Sequence, residues 1–308
     1  MVNKTINNKS DVKKIFLLLS LFASFTIVNA QDLLGDLEPT AGDDFAIATF
    51  KSTRLVNQHT IETTGPRTLD FRISHRFGPV NSEAYNAFGL DGPANIRLGL
   101  EYSPEGRFMF GIGRSSLDKL VDGFLKYRLL RQKTDNSMPL SVTLLACAYY
   151  TTLKDGNAAA NGFDRYEFRS SRFSYCYQLL IARKFSPNFS FQVAPWLVHY
   201  NLVDLQSDKN DAYGLAALFR LKFTKRAAIT AEYGYRLNKY TAVTKTENDI
   251  HFDTFSIGYE LETGGHVFQI HFTNSFGITE NQFFPKTDTK WNDAGVRLGF
   301  NISRVFTL

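Results

Sequence analysis

The residues able to do chemistry are few and scattered. His271 and Ser275 stand four apart and have the types of a base and a nucleophile. Such a pair works only with a third group to orient the base and donors for an oxyanion. Neither can be named, and no G-x-S-x-G elbow is present. His251 and Asp253 form an isolated H-x-D, and Asp204, Asp208 and Asp211 cluster in a polar stretch that could attract calcium. Both patterns are weaker than the ordinary solvated acidic loop, so no metal and no cofactor is assigned. Phe283, Phe284 and Trp291 could stack against a sugar. The only two cysteines, Cys147 and Cys176, exclude a disulfide scaffold and a multi-cysteine zinc module. These observations point away from an enzyme.

What repeats is charge at every second position. Arg72 and Arg76, Lys126 and Arg128, Arg220 and Lys222 each sit two or four residues apart, interleaved with apolar residues. The apolar partners are Leu69, Phe71 and Ile73, then Ile96, Leu98 and Leu100, then Leu125, Tyr127 and Leu129. The same alternation returns around Ile112, Leu144, Tyr177, Val193, Leu221, Tyr233, Ile257, Ile270 and Leu298, making twelve segments from residue 67 onward. Period two with aromatic and β-branched residues specifies strands with one apolar face. Most segments run 8–14 residues. A soluble sandwich usually has shorter strands, whereas a transmembrane barrel needs about 9–11 residues each, apolar outside and polar within.

The connections alternate in length. Tight turns stand at 103–106, 186–188, 224–226 and 263–265, and longer polar stretches at 152–170, 202–210, 241–249 and 277–293. Short turns on the periplasmic side and long loops outside are the outer-membrane pattern. Tyr102, Tyr150, Phe189, Phe223 and Tyr240 at strand ends fit aromatic girdles. The expected architecture is an all-β, antiparallel, up-and-down transmembrane barrel of one domain over 67–308, with about twelve strands.

The start carries four lysines, an apolar run of 14 residues and Val28 and Ala30 before Gln31, which reads as a secretory signal over 1–30. Removing it takes four basic residues and one acidic one, leaving 31 against 29, a net charge of +2. That balance gives no reason to expect nucleic acid as a partner. The partners expected are outer-membrane lipid, the barrel-assembly machinery and a periplasmic protein. Residues 31–66 form a separate N-terminal segment: 32–44 is an acidic tail, and the strand-like 45–63 either plugs the lumen or adds two strands for a count of fourteen.

On strand parity the lumen receives Arg72, Arg76, Arg97, Arg107, Lys126, Arg128, Arg172, Arg220, Lys222, Arg236 and Arg297 against Asp70, Glu101, Glu232 and Glu260, an excess of +7. Fixed like charges in a tube attract anions. Cross-strand ion pairs filling a narrow barrel are the competing explanation. Cys147 and Cys176 fall on consecutive strands with the same inward parity, and 147 + 176 equals 151 + 172, so a hairpin closed around 152–171 places them opposite each other. A disulfide there would need a close, non-hydrogen-bonded pair. His75 shares parity with the apolar face and fits the membrane interface.

The stretches TFKSTRLVNQHTIET at 49–63, LDFRISHRFG at 69–78 and GHVFQIHFTNSFGITENQFF at 265–284 resemble an uncharacterised outer-membrane β-barrel family of Bacteroidota. The resemblance covers nearly all of the chain after residue 30 and implies a membrane barrel of unknown function, without catalytic residues. The last residues, Arg304 to Leu308, are similar to the terminal strand by which such barrels are recognised for assembly, with Leu308 in place of the usual final Phe. The expected function is passage of small, anionic solutes through an outer-membrane channel. A closed structural or docking barrel for periplasmic partners is the alternative, and a barrel hydrolase the second.

Overall fold

Alternation of apolar and polar residues produces twelve antiparallel strands in the computed structural model, which describes residues 45–154, 166–203, 208–238 and 251–308. They are β1 (Thr68–Pro79), β2 (Asn95–Ser103), β3 (Phe108–Ser115), β4 (Leu120–Leu130), β5 (Ser141–Thr151) and β6 (Phe173–Lys184). The second half comprises β7 (Phe189–Tyr200), β8 (Asp211–Lys222), β9 (Ala227–Arg236), β10 (Thr254–Thr263), β11 (His266–Thr273) and β12 (Arg297–Thr307). Each pairs with its sequence neighbours, and β1 closes on β12 from Thr68↔Thr307 to Arg76↔Gly299. Direct β1–β12 pairing rules out the count of fourteen. Closure leaves no open edge, the condition for β-structure in a bilayer.

The odd and even faces separate cleanly. Leu98, Ile112, Leu125, Leu144, Tyr177, Ile270 and Phe272 are exposed on the outer wall. Aromatic pairs mark its ends: Tyr102 with Phe110, Phe189 with Phe219, and Phe223 with Tyr259 at the end of the short turns, and Tyr150 with Phe173 at the end of the long loops. Among the described residues no helix is long and apolar enough to cross a membrane. The signal over 1–30, the tail over 32–44, Asp204 and Tyr240 lie outside the described residues.

The inner face is two-sided. On β9–β12 and β1–β4 it carries Glu232, Glu260, Arg72, Arg76, Arg97, Glu101 and Lys126. On β5–β8 it carries Leu145, Cys147, Cys176, Leu180, Ala194, Trp196, Val198, Ala216 and Leu218, all buried. The inner side of these strands is largely apolar, so an apolar occupant must cover most of it.

Candidate functional site: the occupied lumen

Two segments fill the bore. Residues 49–64 lie inside the barrel, within the same compact unit, and add no membrane strand. They fold into a tight hairpin: Thr60 N–H donates to Thr53 O at 3.0 Å and Leu55 N–H to Gln58 O at 2.9 Å. A hairpin this short cannot satisfy its own backbone, so the barrel wall does. Glu232 accepts the amides of Val56 at 3.2 Å, Asn57 at 2.9 Å and Gln58 at 3.1 Å, and the Asn57 side-chain amide at 2.8 Å. Lys126 Nζ donates to the carbonyls of Thr53, Thr60 and Glu62 at 2.9–3.2 Å. Arg76 reaches Val56 O at 3.1 Å and Asn57 Oδ1 at 2.8 Å. Gln192 clasps the hairpin, accepting from Ile61 N–H and donating to His59 O, each at 2.8 Å. Phe50, Leu55 and Ile61 turn the other way and join the apolar half of the wall.

The second segment is the connection from β11 to β12, which folds inward. It contains a single helical turn, α1 (Glu280–Phe283), buried at every residue. Phe284 stacks on Trp196 with centroids 4.4 Å apart and planes 6° apart. Gly234 permits that approach, since a Cβ there would lie 2.8 Å from the Phe284 ring. The Tyr200 hydroxyl donates to Asn281 O, and Asn281 Nδ2 donates to Ser174 Oγ at 2.9 Å. Hairpin and loop meet at Glu280. Its carboxylate takes a hydrogen bond from Arg54 at 3.2 Å and one from the Tyr149 hydroxyl at 2.7 Å, and lies 3.6 Å from His59 Nε2. His59 also sits edge-on to Phe124 at 4.7 Å. Complete burial holds its pKa well below 6.5, with the Arg54, Lys126, Arg97 and Arg72 cations adding to the depression.

The family described as Membrane bound beta barrel domain (DUF5777) matches residues 50–306, a span that begins inside the hairpin and ends in β12. The chain belongs to this family. Its membership makes it a membrane-bound barrel, and a closed antiparallel barrel with short turns at one end and long loops at the other is an outer-membrane structure. No curated protein matches the sequence. Among solved structures, the NanC porin matches at 9% identity over 78% of this chain and 99% of its own, with a TM-score of 0.47. The KdgM porin matches at 11% identity over 78% and 99%, with a TM-score of 0.46. Outer membrane phospholipase A from Escherichia coli matches at 10% identity over 77% and 92%, with a TM-score of 0.43. At such identities these resemblances concern the barrel shape alone.

The DUF5777 barrel gives four of the eleven basic residues picked out by parity an acidic partner. Arg72 bonds Asp70 at 3.3 Å, Arg97 bonds Asp122 at 2.6 Å, Arg128 bonds Glu62 at 2.9 Å and Arg220 bonds Glu260 at 2.9 Å. Gly99 leaves room for the Arg97–Asp122 pair, since a Cβ there would lie 2.6 Å from the Arg97 guanidinium. Glu101 accepts from Thr53 Oγ1 at 2.5 Å and lies 3.6 Å from Arg54. Cross-strand pairs of this kind are the competing explanation set beside the +7 tally. Asp122, Glu62 and Glu280 are acids the tally missed, Arg107 is exposed at a turn, and Arg172 serves the carbonyls of Thr151 and Leu153. Arg236 donates to Pro285 O and His251 O, Arg297 lies over the Phe276 ring, and Lys222 is half-buried at the turn-end rim.

Other expectations are also revised. Cys147 and Cys176 are direct register partners but both are free thiols, so the disulfide is not formed. Phe283 and Phe284 are buried and offer no face to a sugar. Ser275 Oγ donates to Gly277 O, and both ring nitrogens of His271 lack a hydrogen bond, so the pair is not a nucleophile and its base. Asp253 accepts from Tyr233 and from the Arg236 amide, and Asp211 pairs with His199. His75 stacks on Phe300 at the outer wall. Where the hairpin leaves space, a cleft of about 420 Å³ lined by Lys51, Glu62, Asp70, Glu262 and Ser303 opens toward the turn end. A larger groove of about 670 Å³, lined by Leu125, Leu144, Tyr177 and Leu197, lies on the lipid-facing wall.

Proposed function

We propose that this protein is an outer-membrane transport barrel whose pathway is closed at rest by the 49–64 hairpin and the β11–β12 loop, and which passes small anionic solutes when they move. The observation that carries the reading is how the hairpin is held. Wall charges bind its backbone through polar contacts, and Gly234 makes room for Phe284 of the inward loop. A barrel meant only to be solid fills its interior with its own wall side chains. Here a bore is left and then occupied by segments that polar exchange with water can release.

Anion preference follows from what the hairpin neutralises. Lys126 and Arg76 spend their charge on hairpin oxygens, and Arg128 spends its charge on Glu62. Displacing the hairpin exposes these three cations and Glu232, and takes Arg54 from Glu101 and Glu280; Glu101 keeps Arg72 beside it and Glu280 keeps the Tyr149 hydroxyl. Field focusing in a low-dielectric tube then favours anions. The test is solute entry into liposomes carrying the protein, with reversal potentials under a salt gradient. Protein lacking residues 49–64 should admit small solutes and select anions over cations, and the intact protein should do neither. Cation selectivity in the shortened protein, or equal permeability of both, would overturn the reading.

A further inference from the structure

Three separate parts of the chain bring metal-ligating atoms to one point inside the barrel. His59 comes from the hairpin, Cys147 from β5 and Glu280 from α1, and one donor atom from each lies within 4.8 Å of the others. All three side chains are buried. Cys176 faces Cys147 across the β5–β6 ladder on the same inner face, where opposed Cβ atoms lie about 4.5–5.5 Å apart. His59, like His271, has an unmatched ring, but His59 alone of the two stands in the cluster. It is completely buried, yet neither ring nitrogen has a hydrogen-bond partner, although Nε2 points to within 3.6 Å of Glu280. Leaving two such atoms unmatched in the interior is costly unless something else engages them.

We propose that His59, Cys147, Cys176 and Glu280 form a binding site for a zinc-class dication. Imidazole, thiolate and carboxylate are the donors zinc accepts, in tetrahedral geometry. Bond lengths of about 2.0–2.3 Å put donor atoms roughly 3.3–3.8 Å apart, so rotations drawing His59, Cys147 and Glu280 in by about 1 Å make three bonds, and Cys176, outside that 4.8 Å group, swings in from across the β5–β6 ladder to close the shell. Each thiol gives up its proton on binding. Two thiolates, one carboxylate and a dication leave one negative charge, which Arg54 offsets at 3.2 Å from Glu280. A monovalent ion would leave a second, uncompensated charge buried. Tyr149 donates to the outer oxygen of Glu280 at 2.7 Å and orients that carboxylate as a positioning residue. Because His59 is on the hairpin, displacing the hairpin dismantles the site, but metal binding in the closed barrel does not require that the pathway ever opens.

The experiment uses full-length protein refolded in detergent under reducing conditions with Co2+ present, so that burial does not block entry. The expected result is one cobalt per barrel, tetrahedral in its visible spectrum, with a thiolate-to-cobalt charge-transfer band that Zn2+ abolishes. Cys147→Ser should remove most of that band, His59→Gln should weaken retention at least about 10-fold, and Tyr149→Phe should weaken it by about 10–100-fold. Heat-modifiable migration verifies that each variant is folded. A folded wild-type barrel without the charge-transfer band overturns the proposal, as does an unchanged band when both cysteines are serine.

Discussion

Glu232 anchors the hairpin more than any other single side chain, because three consecutive backbone amides and one side-chain amide converge on its two oxygens. Hydrogen bonds to a charged acceptor contribute about 1.5–3 kcal/mol each, and truncating a buried partner strands the donors it served. Glu232→Ala should release the hairpin while leaving the strands paired, read as faster hydrogen exchange at Val56, Asn57 and Gln58. Glu232→Gln, which keeps the acceptor but not the charge, should fall between. His59 gives the hairpin a pH dependence. Inside the barrel its pKa is depressed, first by burial and then by Arg54, Lys126, Arg97 and Arg72, while Glu280 at 3.6 Å opposes them. Released into water it returns to about 6.5, so the released state binds the extra proton. The seated state therefore holds its full advantage above about pH 6.5 and loses it as the pH falls below, by up to about 1.4 kcal/mol per unit. Exchange at residues 56–58 should accelerate on acidification, and His59→Gln should remove that acceleration.

Among the elements, the strands were legible and their occupants were not. Alternation at Leu69–Phe71–Ile73 or Phe268–Ile270–Phe272 marks the outer wall, because the period of a strand and the polarity of lipid leave a single solution. Residues 45–63 have strand-like composition because they must pack Phe50, Leu55 and Ile61 against a wall. The even strand count points to a plug but leaves two extra strands as the alternative, and long-range bonds to Glu232 and Lys126 decide it. The inward loop was hidden for a similar reason: Glu280, Phe283 and Phe284 read as surface residues until Trp196 and Tyr149 are known to face them. One signal was present. SVTLLACAYY and QVAPWLVHY are apolar on both parities, which a water-filled lumen does not permit. The loop's seat is thus an apolar contact, unlike that of the hairpin. Trp196→Ala should cost about 3–5 kcal/mol of barrel stability through the lost stack and the cavity, read as a lower unfolding temperature. It should leave exchange at residues 56–58 nearly unchanged.

For the molecule as a whole, a rigid closed wall surrounds contents held by two different chemistries, one polar and one apolar. The wall contributes the fixed charges and the lipid-facing surface. The hairpin neutralises the former, and its bonds to Glu232, Lys126, Arg76 and Gln192 are of the kind that water can replace. The loop closes the apolar side against Trp196 and ties itself to the hairpin through Glu280 and Arg54. A closed pathway that can open is the consequence, and single-channel recording in a planar bilayer tests it most directly. The intact barrel should be silent or show only brief openings, and protein carrying Glu232→Ala together with Arg54→Ala should show long open levels that favour anions. A steady open level in the intact protein, or silence in the folded double variant, would contradict the account.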